Sequence, residues 1–544
     1  LTFTSDSAVI TFGADGDTTL THTDGSGLTL NSTNKLMFND ASQFIQGSSA
    51  TVLSLGATDE IDLTATAMDF NGTVTISGDT TLEDGADLIT ASAGTDNVRI
   101  GATAGDSIQS GGNFNTLIGT NAGTAITTGD SNVAVGRNAL DAEVAGSLSV
   151  AVGVGTLTSQ TNSTATDVYN TAVGHAAGNA VTTGKENTIV GGLAFDANTV
   201  GQRNVAIGYK AQSEDVAGWK TVAIGHGALE NQNFSTATDS FNVAVGHSAG
   251  NDVTTGTQNT YIGSLAADAA TASVENVAVG YQALSADTLG SKNVAVGRMA
   301  LLSQNFSTAT DVYNTAVGHN AGQQITTGLK NVLVGGLAGD ALTDADFNVA
   351  VGNGALSGDT LGSGSVAIGA SALGAQNFTT ATDTFNVAVG FEAGQSITSA
   401  VQNTIIGAQA GDALTQGARN TAIGKSALSA DTLGQYAVAV GYSALENQNF
   451  TTATNNYNIG VGYSAGSSIT TGIENVIIGG LAGDALTDAD VNIAIGMSAL
   501  SSDTKGSKSI AIGKGNLFAQ NFTTATDTHN IAIGTNAGLS VTTG

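Results

Sequence analysis

The chain has 544 residues with no cysteine, no proline, a single tryptophan and only 15 Lys+Arg. Without cysteine there is no disulfide framework and no thiolate metal site. Without proline, the turns fall to 73 glycines and to Asn and Asp. A net charge of −30 argues against nucleic-acid binding, because so acidic a surface repels phosphate. That acidity suits a protein outside the cell or on a virion, where salt screens it. No run of about 18 apolar residues is present, which excludes a helical membrane span. The opening Leu1 and the stop at Thr542-Thr543-Gly544, in mid-coil, read as the ends of a fragment, so the chain is expected to continue at both ends.

What is present is a five-residue phrase, seen at Asn293-Val294-Ala295-Val296-Gly297. It first occurs at 97–101, next at 115–119 and last at 530–534, in 25 copies. After a first step of 18, the spacings run 17, 17, 21 and then 17, 17, 17, 21 repeatedly. The Gly174, Gly246, Gly318, Gly390, Gly462 and Gly534 series is spaced by 72 residues. A strand phrase at a short fixed period is the signature of a stacked solenoid. The fold class is therefore all-β: a parallel β-solenoid or β-roll of 17-residue coils within a four-coil super-repeat. Coils stacked about 4.8 Å apart make a rod on the order of 120 Å long. Seventeen residues allow two strands of about five residues and two turns, or three sides of about six. The expected second strand includes Ile126-Thr127-Thr128 and Leu289.

Residues 1–96 lie outside this register and read as an irregular β shaft or collar, with residues 97–544 as the solenoid. Val9–Phe12, Leu28–Leu30 and Val74–Ile76 suggest short strands, and Asp40–Ile45 is ambiguous.

The two faces of the phrase raise the question of partners. Val294 and Val296 point one way and Ala295 the other. The branched flanking residues suit a coil's core, which would turn the middle position outward. That position is mostly Ala, but once per super-repeat it is large: Leu117, Ile189, Tyr261, Leu333, Ile405 and Ile477. A strand apolar on both faces is buried on both. The expectation is a homotrimer whose seam holds Leu117, Ile189, Tyr261, Ala295, Leu333, Ile405 and Ile477, with a thin monomeric solenoid as the alternative.

The phrase, with Ser365-Val-Ala-Ile-Gly369 and the Ala-Leu or Ala-Gly that follows, resembles the head repeats of trimeric autotransporter adhesins. The resemblance covers residues 97–544 and implies a trimer of left-handed parallel β-rolls without catalytic activity. The 17- and 21-residue coils are longer than is usual in that family. The Asn-rich, Thr-Thr-Gly-punctuated text and the β segment before it look more like tailed-bacteriophage fibre proteins.

Several columns are candidate sites. Asn opens 20 of the 25 phrases, the exceptions being Ser149, Thr221, Ser365, Ala437 and Ser509. This reads as a corner hydrogen-bond ladder in preference to a binding stripe. The long coils carry Phe234, Phe306, Phe378, Phe450 and Phe522, each followed by Tyr169-type rings such as Phe241 and Tyr313. Each Phe either tucks against its ring partner or offers a lateral contact to glycan or protein. His175, His247 and His319 recur at the 72-residue step before Phe391 and Tyr463 replace them, so the position asks for a ring more than a metal ligand. Asp340, Asp344 and Asp346, repeated at Asp484, Asp488 and Asp490, are oxygen-rich turns of the type that holds Ca²⁺. Their spacing matches no EF-hand, so no cofactor is expected and calcium is the alternative. Asp215, Asp287, Asp359, Asp431 and Asp503 read as solvated turn residues.

No nucleophile–base constellation stands out, so the chain is not expected to be an enzyme. The function expected is a structural fibre at the virion surface, a phage tail fibre whose tip lies outside this chain and binds a host glycan or protein. The alternatives are an extracellular adhesin head that binds along its side, and a polysaccharide-degrading tailspike.

Overall fold

The structure, a computed structural model, describes residues 8–15, 18–23, 27–30, 36–37, 44–49, 52–57, 61, 77 and 92–544. The chain divides into two units, residues 1–87 and 88–544. In the first unit, Val9–Phe12, Thr18–Thr23 and Gly27–Leu30 form one antiparallel sheet. Leu36–Met37, Phe44–Ser49 and Val52–Gly56 form another. Two of the expected strands are thus present, and the ambiguous Phe44-Ile45 is strand. Val74–Ile76 lies outside the described residues.

The second unit is a β-solenoid. Each phrase forms a three-residue strand, and 25 of them pair in parallel as an open ladder from Val98–Ile100 to Ile531–Ile533. Register is strict, with Val277, Ala278 and Val279 over Val294, Ala295 and Val296. The 21-residue coils keep it, since Val294, Ala295 and Val296 pair with Thr315, Ala316 and Val317. Extra residues are absorbed in loops, and the ladder does not slip.

The strand is short because left-handed residues bound it. Lys292 before the phrase has φ 64°, and Gly297 closes it at φ 137°. Met299 and Leu301 follow at φ 57° and 51°. These turns, stacked rung on rung, replace the expected second five-residue strand: Ile126-Thr127-Thr128 and Leu289 are not in strands. The remaining pairing is two residues long and occurs once per super-repeat, as Gly290–Ser291 with Thr310–Asp311.

The structure reverses the expected faces. Ala295 and its equivalents are fully buried within a single chain, and so are Leu117, Ile189, Tyr261, Leu333, Ile405 and Ile477. These residues belong to the chain's own core, so they are not a seam between chains. The flanking Val and Ile residues point outward, and none of them is buried on any of the 25 rungs. The reason is cross-section. Leucines from the turn, such as Leu284 and Leu301, reach across the coil and fill it, leaving room only for Ala on the strand. Where the strand residue is large, the turn leucine becomes glycine. A Cβ on Gly322 would sit 2.7 Å from Leu333 Cδ1 and 3.0 Å from Leu301 Cδ2. A Cβ on Gly250 would sit 2.8 Å from Tyr261 Cδ2. Volume is exchanged between the two sides of one narrow core, as close packing demands.

Candidate interaction surface

Within the coil, the Asn column is a buried ladder. Asn276 Oδ1 accepts from the Asn293 backbone N at 2.9 Å, and Asn276 Nδ2 donates to Gly290 O at 2.9 Å. The rungs above and below repeat this arrangement. The hydrogen-bonding groups that would otherwise be stranded at the corner are satisfied there.

A second internal device stands where the sequence suggests solvated turns. Asp215, Asp287, Asp359, Asp431 and Asp503 are fully buried. Asp287 Oδ1 accepts from Gly290 N at 3.0 Å and Phe306 N at 3.2 Å, while Oδ2 accepts from Gln304 Nε2 at 2.6 Å. Gln304 Oε1 in turn takes Asn314 Nδ2 at 2.8 Å. Each carboxylate therefore clamps the root of a long loop and joins it to the Asn ladder. Glu143 fills the role in the first super-repeat, holding Gly146, Gln160 and Asn162. Burial pushes the carboxyls of Asp287 and Asp431 above the ordinary range, opposed by these hydrogen bonds. The signal lies in the sequence: Asp and Gln recur 17 residues apart in five super-repeats, and Glu143 and Gln160 in the first, one rung above the other.

The long-coil phenylalanines are not lateral contacts. Phe234, Phe306, Phe378 and Phe450 are buried and Phe522 is half-buried. Their backbone N–H groups are held by the clamp carboxylates. The expected ring partners stay out: Tyr313 is about half exposed, and Lys292 Nζ lies 5.4 Å from its ring centroid. What the loops present is their small tips, Ser307, Thr308 and Ala309. Asp344 accepts from Thr327 Oγ1 at 2.6 Å and Asp346 from Leu329 N at 2.7 Å, so these two carboxylates are engaged separately. In the sister turn, Asp488 pairs with Lys505 at 3.3 Å and Asp490 accepts from Ile473 N at 2.9 Å. His247 stacks on His226 at 5.1 Å, and Arg298 meets His319 at 3.3 Å. The His positions thus belong to an exposed ladder of rings and cations.

The outer face of the strand ladder is the most unusual surface. The position before the closing glycine is Val or Ile on all 25 rungs. The position after the opening residue is Val, Ile or Thr throughout. Two more columns border these: the residue before each phrase and the residue after its glycine. Both carry exposed rings, among them Tyr169, Phe241 and Phe385 on one side and Tyr281, Phe391 and Tyr463 on the other. Rings and cations stack along them, with Lys220 over Phe241 at 5.0 Å, Arg419 over Tyr436 at 5.5 Å and Tyr442 on Tyr463 at 5.5 Å.

No protein family, curated protein or solved structure matches the chain.

Proposed function

We propose that this chain is a structural fibre protein, a homotrimeric phage tail fibre whose solenoid spaces a receptor-binding tip from its base. The observation that carries the reading is the unbroken register of 25 parallel rungs. A ladder that keeps strict register through six long coils is built for length and stiffness. Its polar groups serve this end: the Asn ladder and the carboxylate clamps are buried and repeated. A repeat protein of this type gains length by adding identical nearest-neighbour units. Acceptor groups for a host glycan or protein would then lie on the tip.

A second reading, an adhesin head binding along its own side, is favoured by the exposed aromatic columns, since rings at a surface suit contact with sugars or proteins. Antibodies raised against residues 97–544 separate the two on particles and cells from the source. Decoration of virion tails is the expected result. Decoration of a bacterial surface with bare virions would overturn the fibre reading in favour of the adhesin, and released oligosaccharide on incubation with capsular glycans would replace both with a degrading spike.

A further inference from the structure

We infer that the outer Val/Ile face of the ladder, with its two bordering columns, is the surface through which copies of this chain associate, in parallel and in register. The proposal deepens the fibre reading and rests on it for the number of copies.

Three observations converge on the face. The first is charge. The chain carries 45 Asp+Glu, yet the two Val/Ile/Thr columns carry none. The column after the glycine also has no carboxylate over its whole length, and the column before the phrase has only Asp96, Glu186, Glu275 and Glu474. By contrast, ten of the 15 Lys+Arg stand in these bordering columns. Six are in the first, Arg203, Lys220, Lys292, Lys330, Arg419 and Lys508, and four in the second, Arg137, Arg298, Lys425 and Lys514. A chain of net charge −30 has thus cleared its negative charge from one strip. Copies meeting elsewhere would bring acidic surfaces together, whereas copies meeting here would not.

The second observation is composition. Of the exposed Phe and Tyr residues of the solenoid, all but Phe518 stand in the two bordering columns. Aliphatic residues in the centre, aromatics and cations at the edge and few carboxylates describe a protein–protein interface. Nucleic acid would also tolerate the cations, but it would not cover one column of Val and Ile and another of Val, Ile and Thr.

The third observation is size and period. Twenty-five rungs at about 4.8 Å, over a strip about 10 Å wide, give roughly 1,200 Å² per chain; shared between two neighbours in a trimer this is about 600 Å² from each partner, a pairwise total of about 1,200 Å² at the lower bound of stable interfaces. The face is a straight array of side chains at the rung spacing. A second copy carries the same array at the same spacing, so parallel copies in register bring like rungs together along the whole length. A globular partner would meet only a few rungs. A strip of this length, Val or Ile throughout one column and broken only by Thr in the other, exceeds the patches that monomers leave in water.

The test exploits the absence of native cysteine. The wild-type chain is expected to sediment at three times its 53.6 kDa. The variant Val279→Glu/Val296→Glu/Val317→Glu places charges on three successive rungs that point outward in one chain, so the coil itself has room for them. It is expected to fall to the single-chain mass with its strand signal in circular dichroism retained. A variant that folds and keeps the wild-type mass would overturn the seam while leaving the fibre reading in place. A wild-type chain that is a monomer at every concentration would overturn both the seam and the homotrimer. Should the triple variant fail to fold, single cysteines decide the matter. On mild oxidation Val296→Cys is expected to give covalent dimers and Thr308→Cys, on a loop tip, none; the reverse pattern would overturn the seam.

Discussion

At the scale of single residues, this solenoid is held by polar side chains inside it as much as by apolar ones. Asp287 is the clearest case, because one buried carboxylate satisfies two backbone N–H groups and a glutamine. Asp287→Ala leaves those donors without a partner, and each unsatisfied buried group costs about 1–3 kcal/mol. The expected outcome is a lowered unfolding temperature, with hydrogen-exchange protection lost first around Gly290 and Phe306. Protection unchanged at those amides would show that the clamp is dispensable. The same carboxylates set a pH dependence. Burial raises the carboxyls of Asp287 and Asp431 above their ordinary value of 3.8 in the folded chain. A raised acid binds its proton more tightly when folded, so its contribution to stability is fully present below pH 3.8 and is lost as pH rises through the folded value. Asp196, Asp340 and Asp412 shift in the same direction for the same reason. Lowering the pH also reduces the net charge of −30. The denaturant midpoint is therefore expected to be no lower at pH 4.5 than at pH 7, where many proteins weaken. A steep fall on acidification would mean that these carboxylates are stabilised as anions.

At the scale of the coil, the sequence announced the rung but not its orientation. The phrase, the 17- and 21-residue steps and the strand ladder were all legible, because a strand bracketed by Asn and Gly leaves an unmistakable period. The inward face was not. Bulk as the mark of the core puts Val294 and Val296 inside and Ala295 outside. In so narrow a coil the opposite holds, since Leu284 and Leu301 arrive from the turns and occupy the space beside the strand. The clue was the exchange of Leu for Gly in the turn wherever the strand carries Leu333 or Tyr261. The buried clamps are hidden for a related reason: an Asp in a turn is usually wet, and only the Gln one rung away marks this one as enclosed. The closing glycine of the phrase is the element's most sensitive point. Gly297 has φ 137°, and a Cβ there would lie 2.3 Å from Gly318 O on the next rung. Strain in that glycine-only region is of order 1–3 kcal/mol before the clash is added. Gly297→Ala is expected to part the ladder between the rungs of Val294–Val296 and Thr315–Val317, seen as a new protease-sensitive site there. Undiminished protease resistance would contradict the account of the turn.

At the scale of the whole chain, one asymmetry organises the rest. Carboxylates are spread over the coil and its loops, while the ladder's outer face is kept aliphatic and bordered by rings and cations. Separation of that type is hard to reconcile with a face that stays wet, and it explains why a chain of net charge −30 would pack against itself at all. In the proposed arrangement, Ala faces the inside of each coil and the Val/Ile faces of neighbouring copies meet. Electron cryo-microscopy of the assembled rod in cross-section tests it most directly. The predicted image has three coils around one axis, their strand ladders facing inward about 10 Å apart, as stacked sheets pack. A rod containing one coil, with solvent against the column of Val279, Val296 and Val317, would contradict it.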